Sequence, residues 1–241
     1  MMRPVEKKKP GETVEYKTSN NQKVSHTIQE KYNEYSDAKW PLVENLGAFC
    51  SYCEEPRAFA DIHVEHAEPK SKEGAMCDWE NFLLACNMCN SVKSNRNVDV
   101  ENTHFPHRDN TYLDFVYDES GRVKVNPDLP AEEYVKAENL YNLVKLGRFP
   151  LGEEAVSKCD FRWKHRFETW CLAKRYLGLY VARNVGLEDI VSLAKTQGNW
   201  SVWFTVFKGH DEVRKALIDY FPGTCASCFD AENHYEPIPR K

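Results

Sequence analysis

The sequence predicts an α+β protein, and three of its features lead to that prediction. Two C-x-x-C pairs enclose a short segment rich in histidine and acidic residues, which is typical of a small core held together by a metal ion. Residues 111–127 alternate apolar and polar positions on both sides of a turn, as a hairpin does. Most of the chain after residue 131 shows helical spacing of its apolar residues.

Composition excludes several classes of protein. The chain has 241 residues, of which 41% are hydrophobic and 29% charged, enough for one ordinary domain or two small ones. No apolar run reaches the roughly 20 residues of a membrane span, and the charged start MMRPVEKKKPGETVEYK lacks the apolar core of a secretory signal. The net charge of −5 argues against a histone-like protein that coats nucleic acid, but not against an enzyme with one local contact patch. We therefore expect a cytoplasmic protein.

The segments before the cysteine pairs carry weak signals. Residues 1–25 are polar, rich in lysine and interrupted by two prolines, which predicts a flexible N-terminal arm. A segment that becomes ordered on a partner is the alternative. Residues 25–46 have helix-compatible spacing that breaks at Pro41.

The segments after the cysteine pairs are predicted more firmly. The hairpin at 111–127 turns at the DESG sequence, and its alternating positions are Leu113, Phe115, Tyr117, Val123 and Val125. Residues 131–144 predict an amphipathic helix, and 153–183 predict one long helix or two short ones. A last helix is expected over 211–224, where Pro222 and Gly223 stop it.

The two cysteine pairs predict a structural zinc site. The four residues are Cys50, Cys53, Cys86 and Cys89. Each C-x-x-C turn presents two thiolates, and two such turns complete the tetrahedral site that structural zinc favours. A third pair, Cys225 and Cys228, has no matching partner pair, so two free thiols are predicted there and a second metal site is the alternative.

The segment that contains these pairs resembles the HNH endonuclease family, in which two strands and a helix surround one catalytic metal ion. The matching residues are Glu65 and His66 on the first strand, Asn81 at the turn into the second, Asn90 after the second cysteine pair, and also Pro69 and Lys93. The resemblance implies a ββα core that hydrolyses phosphodiester bonds. Such hydrolysis needs a base that activates water and a cation that neutralises charge on the phosphate.

The resemblance assigns a role to each matched residue. His66 would be the general base, Glu65 and Asn90 would bind the catalytic ion, and Asn81 would hold the loop that bears His66. On an extended strand, however, the adjacent residues Glu65 and His66 point to opposite faces, so the arrangement is accepted on the resemblance. His63 either joins the ion or forms hydrogen bonds at the edge of the site.

The ligands also bear on the identity of the catalytic ion. Oxygen ligands and water suit Mg²⁺ or Mn²⁺, and an imidazole would favour a softer ion. Lys93 is expected either to contact a phosphate or to be a solvated lysine on a helix.

A basic stretch at 158–183 offers a candidate nucleic-acid contact. Arg162, Lys164 and Arg166 alternate there with aromatic residues. The pattern fits an amphipathic helix with a solvated cationic face, or a surface that binds the nucleic-acid backbone and loses affinity steeply with salt.

Short segments beyond the core are similar to HNH proteins encoded beside an SMC/ABC-like ATPase in bacterial anti-phage systems, including Septu and some retrons. GNWSVWFTVF (198–207), FPGT (221–224) and residues 137–146 carry this similarity. It implies a defence effector controlled by an ATPase partner that docks somewhere on residues 131–241. The nucleic acid expected at the site is DNA rather than RNA.

Two further functions stay open. One is a stand-alone restriction-type nuclease, and the other is a zinc-stabilised module that binds nucleic acid or a partner without cutting. The expected division of the chain into segments is the same for all three functions. In each case we expect an arm at 1–25, an HNH core with its zinc site at 26–100, and a hairpin and helical region at 101–241 that contacts the partner or the nucleic acid.

Overall fold

The computed structural model describes residues 2–240 apart from 19, 70–75, 151, 153–155, 157 and 158. The described residues form eight short strands, paired in four two-stranded antiparallel sheets. The strands are β1 Thr13–Lys17, β2 Lys23–Thr27, β3 Ile62–His66, β4 Phe82–Cys86, β5 Phe115–Tyr117, β6 Val123–Val125, β7 Phe229–Asp230 and β8 Glu236–Pro237. The α-helices are α1 Lys39–Leu46, α2 Asn87–Lys93, α3 Ala131–Leu143, α4 Arg162–Val181, α5 Leu187–Gln197, α6 Trp200–Val206 and α7 Asp211–Tyr220.

β3, β4 and α2 form the predicted ββα unit. β3 pairs with β4 in a register that runs from Ile62 opposite Cys86 to His66 opposite Phe82. All five residues of β4 are buried, which explains its unbroken apolar sequence. α2 follows β4 directly, and the Cys86 thiol accepts a hydrogen bond from the Cys89 N–H at 3.5 Å at the start of the helix. The α+β prediction is confirmed.

The hairpin and helices predicted after the core are present. β5 pairs with β6, and Gly121 in the turn between them has a φ of +80°. A Cβ at Gly121 would lie 2.3 Å from the Trp163 carbonyl, so this turn packs closely on α4 and requires glycine. α4 occupies most of the predicted 153–183 segment, from Arg162 to Val181, while residues 153–155, 157 and 158 lie outside the described residues.

The N-terminal segment differs from the flexible arm expected over 1–25. Met2 and Val5 are buried, and Val5 pairs with Thr224 near the C-terminus. The Arg3 guanidinium donates hydrogen bonds to the carbonyls of Leu46 at 2.9 Å and Pro222 at 2.8 Å. The prediction of a flexible arm was wrong. It rested on the overall polarity of residues 1–25, but a few buried apolar residues among the lysines are enough to hold this segment against the rest of the protein.

The helix near Pro41 also differs from the prediction. Residues 25–27 belong to β2, and α1 begins at Lys39, so the helix includes Pro41 instead of ending there. Pro41 is the third residue of α1, a position in the first turn whose N–H has no partner within the helix. The proline therefore costs the helix no hydrogen bond.

The first cysteine turn is joined to the C-terminal helices through Glu54. This residue has a φ of +63° and a buried side chain. Its carboxylate accepts hydrogen bonds from the Ser201 N–H at 2.9 Å and the Ser201 hydroxyl at 2.6 Å at the start of α6. The apolar side chains of α6 belong to the same buried cluster as those of β3 and β4, so the core and the helices pack together. The expected boundary between residues 100 and 101 stays a prediction.

None of the helices in the described ranges is both long enough and apolar enough to cross a membrane.

Candidate active site and metal centre

The four predicted zinc ligands meet in one buried cluster. Their sulfur atoms all lie within 4.8 Å of one another, and the Cys53 and Cys86 sulfurs are 3.7 Å apart. The neighbouring cysteine side chains, Cys50 first, lower the pKa of the Cys86 thiol well below its usual value. The same contacts and burial raise the pKa values of the Cys53 and Cys89 thiols, so a bound cation would be needed to hold all four as thiolates. Four sulfurs this close together are the ligand set of a structural metal ion, and the cluster can bind one.

Two arginines supply positive charge beside this cluster. Arg162 is buried, and its Nη1 donates to the Cys89 sulfur at 3.3 Å and to the Val144 carbonyl at 2.9 Å. Burial opposes the charge of Arg57, but Glu55, Cys53 and Cys86 together raise its pKa above the ordinary value. Four thiolates around a divalent ion leave excess negative charge, and a buried site must neutralise it.

A cavity of about 470 Å³ lies beside β3. Four consecutive residues of the strand, 63–66, line it, although alternate residues of a strand point to opposite faces. β4 occupies one edge of β3 in this two-stranded sheet. The cavity therefore takes in residues from both faces of β3, so the adjacent Glu65 and His66 both reach it.

Glu65 is held by a buried lysine. The Lys93 Nζ lies 2.7 Å from the Glu65 Oε1 and donates to the His66 carbonyl at 2.6 Å. Lys93 is 1% exposed, so it is not the solvated lysine expected on α2. The Tyr52 phenol is also buried, and its pKa is raised well above the ordinary value by burial and then by the charge of Glu65. Protonated groups therefore surround this carboxylate.

The His66 ring has a defined orientation. Its Nε2 is 2.8 Å from the Met76 carbonyl, which can only accept, so Nε2 carries the proton and Nδ1 carries the lone pair of the neutral ring. Phe82 and Tyr35 contact the ring at near-perpendicular or steeply tilted angles, with centroids 5.1 Å and 5.3 Å away. The arrangement selects one tautomer whose basic nitrogen is Nδ1.

Asn81 forms hydrogen bonds with the backbone that follows His66. Its Oδ1 accepts from the Glu68 N–H at 2.7 Å, and its Nδ2 donates to the Glu68 carbonyl at 3.0 Å. The Asn81 carbonyl accepts from the Ala67 N–H at 2.9 Å. Lys7 donates to the carbonyls of Trp79 and Phe82, which lie on either side of Asn81 in the sequence. The N-terminal segment thus supports the loop that bears His66.

His63 and Asn90 also belong to the polar lining of the cavity. The His63 Nε2 is buried and has no hydrogen-bond partner among the described residues. Asn90 is half-buried on α2 and, like Glu65, presents an oxygen that can bind a cation. An imidazole nitrogen, a carboxylate and an amide oxygen on one cavity fit a divalent ion. Asp61 is exposed and is not part of this lining.

Two of the three predicted nucleic-acid contacts on α4 are wrong. Arg162 is buried against the cysteine cluster, and Arg166 is 2% exposed and donates to the Gly121 carbonyl at 2.9 Å. Lys164 is exposed and lies 3.6 Å from Glu168 one turn along the helix. Both arginines point inward, where they donate hydrogen bonds to backbone carbonyls of other segments. Counting charges along the sequence does not detect such buried arginines.

Sequence reasoning missed the second wall of the cavity. Tyr35, Ser36 and Lys39 line it opposite the strand. Tyr35 and Ser36 belong to the 3₁₀ turn Tyr35–Ala38, and Lys39 starts α1. The only signal in the sequence is the helix-compatible spacing of residues 25–46.

The third cysteine pair lies apart from both sites. The Cys228 thiol donates to the Cys225 sulfur at 3.1 Å, which lowers the pKa of Cys225 to about 6. Neither sulfur belongs to a cluster of three or more metal-binding groups in the part of the chain that the structure describes. The choice between two free thiols and a second metal site stays a prediction.

Comparison with known proteins gives two matches. Residues 50–96 match the model of the HNH endonuclease family, and this range contains all four clustered cysteines and the polar residues of β3 and α2 that line the cavity. A segment of 85 residues is 26% identical to the CRISPR-associated endonuclease Cas9 of Corynebacterium diphtheriae, and it amounts to 33% of this chain and 8% of that protein. The chain therefore spans a small fraction of the curated relative that it matches.

Proposed function

From the HNH endonuclease domain within residues 50–96, we propose that this chain is a metal-dependent endonuclease that hydrolyses phosphodiester bonds of nucleic acid. The two matches support a nuclease enzyme. One observation carries the proposal: His63, Glu65, His66 and Asn90 all line a single cavity of about 470 Å³. Together they offer a base and a set of cation ligands, which are the two requirements of this hydrolysis.

His66 acts as the general base in this proposal. The Met76 carbonyl fixes the proton on Nε2, so Nδ1 takes the proton of the attacking water. Asn81 acts as a positioning residue, because it fixes the backbone of Glu68 just after the base. Attack by water on phosphorus with departure of the 3′ oxygen leaves products with 5′-phosphates.

Glu65 and Asn90 would hold the catalytic ion, with His63 as a further ligand. A divalent ion there would neutralise charge on the phosphate and on the leaving oxygen. Mg²⁺ or Mn²⁺ fits the oxygen ligands, and the unpartnered Nε2 of His63 favours Mn²⁺ of the two. Zinc is the proposed ion at the four cysteines, where it has a structural role.

The biological setting is also a proposal. The similarity of residues 198–207, 221–224 and 137–146 to Septu and retron HNH proteins supports an anti-phage effector that an SMC/ABC-like ATPase controls. The net charge of −5 agrees with a partner that supplies affinity for DNA. Trp200, Val202, Trp203 and Phe204 of the first segment are buried, so the partner would contact other, exposed residues of 131–241.

A second candidate function has one observation in its favour. The Lys93 ammonium already neutralises Glu65 at 2.7 Å, as expected of a zinc-stabilised binding module that no longer cuts. A stand-alone restriction-type nuclease has no specific structural observation behind it. Plasmid DNA incubated with the chain and Mg²⁺ or Mn²⁺, with and without EDTA and with and without the ATPase, separates the three.

Each function predicts its own pattern in that experiment. Cleavage that requires the metal and is governed by the ATPase supports the main proposal. Metal-dependent cleavage at fixed sequences by the chain alone supports the restriction-type nuclease. A folded chain that never cuts, with or without the ATPase, is the binding module.

A further inference from the structure

Four aromatic rings form a partly exposed group beside the proposed active site. Trp40 and Phe59 are 37% and 41% exposed, and their centroids are 5.0 Å apart. Tyr16 stacks on Trp40 with centroids 4.6 Å apart and planes within 10°. His26 lies nearly parallel to Trp40 at 6.0 Å. We call these four rings the aromatic platform.

The fold brings the platform to the active site from two directions. Tyr16 lies opposite Val24 in the β1–β2 hairpin, so Tyr16 and His26 are diagonal neighbours on one face. Trp40 is the second residue of α1, and Phe59 starts the 3₁₀ turn that leads directly into β3. The elements that carry the platform therefore continue into the walls of the active-site cavity.

A second cavity joins the platform to the active site. It has a volume of about 490 Å³, and His26, Trp40 and Phe59 line it. Ser36 and Lys39 line both this cavity and the active-site cavity. The volume lies within the roughly 300–1,000 Å³ range of ligand sites. A ligand that occupies both cavities would thus pass Ser36 and Lys39.

The groups around the second cavity suit a nucleotide. Lys39 places its Nζ 4.6 Å from the centre of the Phe59 ring and can contact a backbone phosphate between the two cavities. Asp37 is the acidic residue of the lining, and it is solvent-exposed. Aromatic faces that stay accessible beside a cation are what stacking proteins offer to unpaired bases.

We propose that the aromatic platform stacks an unpaired base of the strand whose phosphate enters the active-site cavity. The chain then binds single-stranded DNA or RNA in preference to duplex, because the bases of a duplex are already stacked on one another. This inference rests on the proposed nuclease function. It goes beyond that function by specifying the form of the nucleic acid.

Binding measured without cleavage tests the proposal. The full chain carrying His66→Ala is titrated, in EDTA, into fluorescein-labelled oligothymidylate of twelve nucleotides, its oligouridylate counterpart and the duplex with oligodeoxyadenylate. Fluorescence anisotropy gives the Kd for each. Phe59→Ala removes a ring of the platform, and Phe167→Ala is the matched control, because Phe167 is 42% exposed on α4. At position 40, Trp40→Phe is used in place of an alanine variant. It keeps an aromatic ring there, whereas alanine could disturb the β1–β2 hairpin that packs on Trp40.

We expect Phe59→Ala to weaken single-strand binding about 5-fold to 150-fold, the range of one base–aromatic stack. Phe167→Ala should change it less than about 3-fold, and Trp40→Phe, which keeps a smaller ring, should weaken it less than Phe59→Ala does. The two single strands show whether DNA or RNA is preferred. Parental affinity in Phe59→Ala, equal affinity for duplex and single strand, or no binding by the folded chain would each overturn the proposal. Metal-dependent cleavage is measured separately, so its failure is distinguishable from a failure of stacking.

Discussion

The Lys93 Nζ lies 2.7 Å from the Glu65 Oε1, and both side chains are almost completely buried. Lys93 also donates to the His66 carbonyl at 2.6 Å. One lysine from α2 thus ties the acidic and the basic residue of the proposed site to the helix. Removing it would break this buried ion pair.

Lys93→Met should therefore destabilise the protein by about 3–5 kcal/mol, the usual cost of breaking a buried pair. Lys164→Met is the control, because Lys164 pairs with Glu168 on the surface and such pairs contribute about 0–1 kcal/mol. Urea unfolding followed by circular dichroism measures both. Equal midpoints for Lys93→Met and the parent would show that the ion pair does not stabilise the fold.

Zinc content tests the cysteine cluster. The purified chain should contain one zinc ion, and Cys53→Ser should lose it together with much of the stability, because structural zinc contributes folding free energy. Cys171→Ser, at an exposed free cysteine, should keep both. Elemental analysis and thermal melting measure the two properties, and a full zinc complement in Cys53→Ser would refute the four-cysteine site.

A substitution at Gly198 tests the link between the first cysteine turn and α6. It has a φ of +70°, and a Cβ there would lie 2.5 Å from the Glu54 carbonyl. Gly198→Ala should lower the free energy of unfolding by at least about 1 kcal/mol, from backbone strain and the clash. Gly178→Ala, at an exposed position of α4 with open space, should be neutral or stabilise by roughly 0.5–1 kcal/mol. Similar melting shifts for the two variants would contradict this account of the link.

Because of His107, we expect the protein to lose stability in mild acid. Both ring nitrogens of this histidine are buried and lack a partner in good hydrogen-bond geometry among the described residues, and only a weak contact with the Glu80 backbone favours the protonated ring. Burial, with Lys7 and then Arg108 nearby, lowers its pKa well below the ordinary value of 6.5. The folded state therefore disfavours the protonated ring, so this contribution is complete above pH ~6.5 and is lost as the pH falls below it.

Replacing that histidine isolates the effect. Between pH 7.5 and 5.5, the urea midpoint of the parent should fall more than that of His107→Phe. Parallel declines in the two proteins would assign the acid sensitivity to other groups.

Cys225, which is partly buried, should react faster in weak acid than the exposed Cys171. Its pKa is lowered to about 6 by the hydrogen bond from Cys228, and the thiolate is the nucleophile. At pH 6.5, iodoacetamide should modify Cys225 before Cys171, as peptide mass spectrometry can show. Slower labelling in Cys228→Ser would support the role of the neighbouring thiol, and unchanged labelling would exclude it.

The sequence predicts the site better than its surroundings. The spacing of the four cysteines predicts their cluster, because two C-x-x-C turns fix local geometry. Glu65, His66 and Asn90 were assigned to one site through the resemblance to HNH endonucleases, since strand geometry alone points Glu65 and His66 to opposite faces. Arg162 was predicted at a surface and is buried, since its partners, the carbonyls of Val144 and Lys145, are known only once α4 is packed. Likewise, nothing local indicates that Met2 bonds to Thr111 and that Val5 pairs with Thr224.

The cleavage rate of His66→Ala tests the central claim most directly. His234→Ala is the control, because that histidine has a 70% exposed side chain outside the cavity. With Mg²⁺ or Mn²⁺, and with the ATPase if the parent requires it, His66→Ala should cut plasmid DNA about 10²–10⁴-fold more slowly than the parent. Its zinc content should be unchanged, and His234→Ala should cut at the parental rate. A His66→Ala protein that cuts as fast as the parent would contradict the assignment of the base and the site built around it.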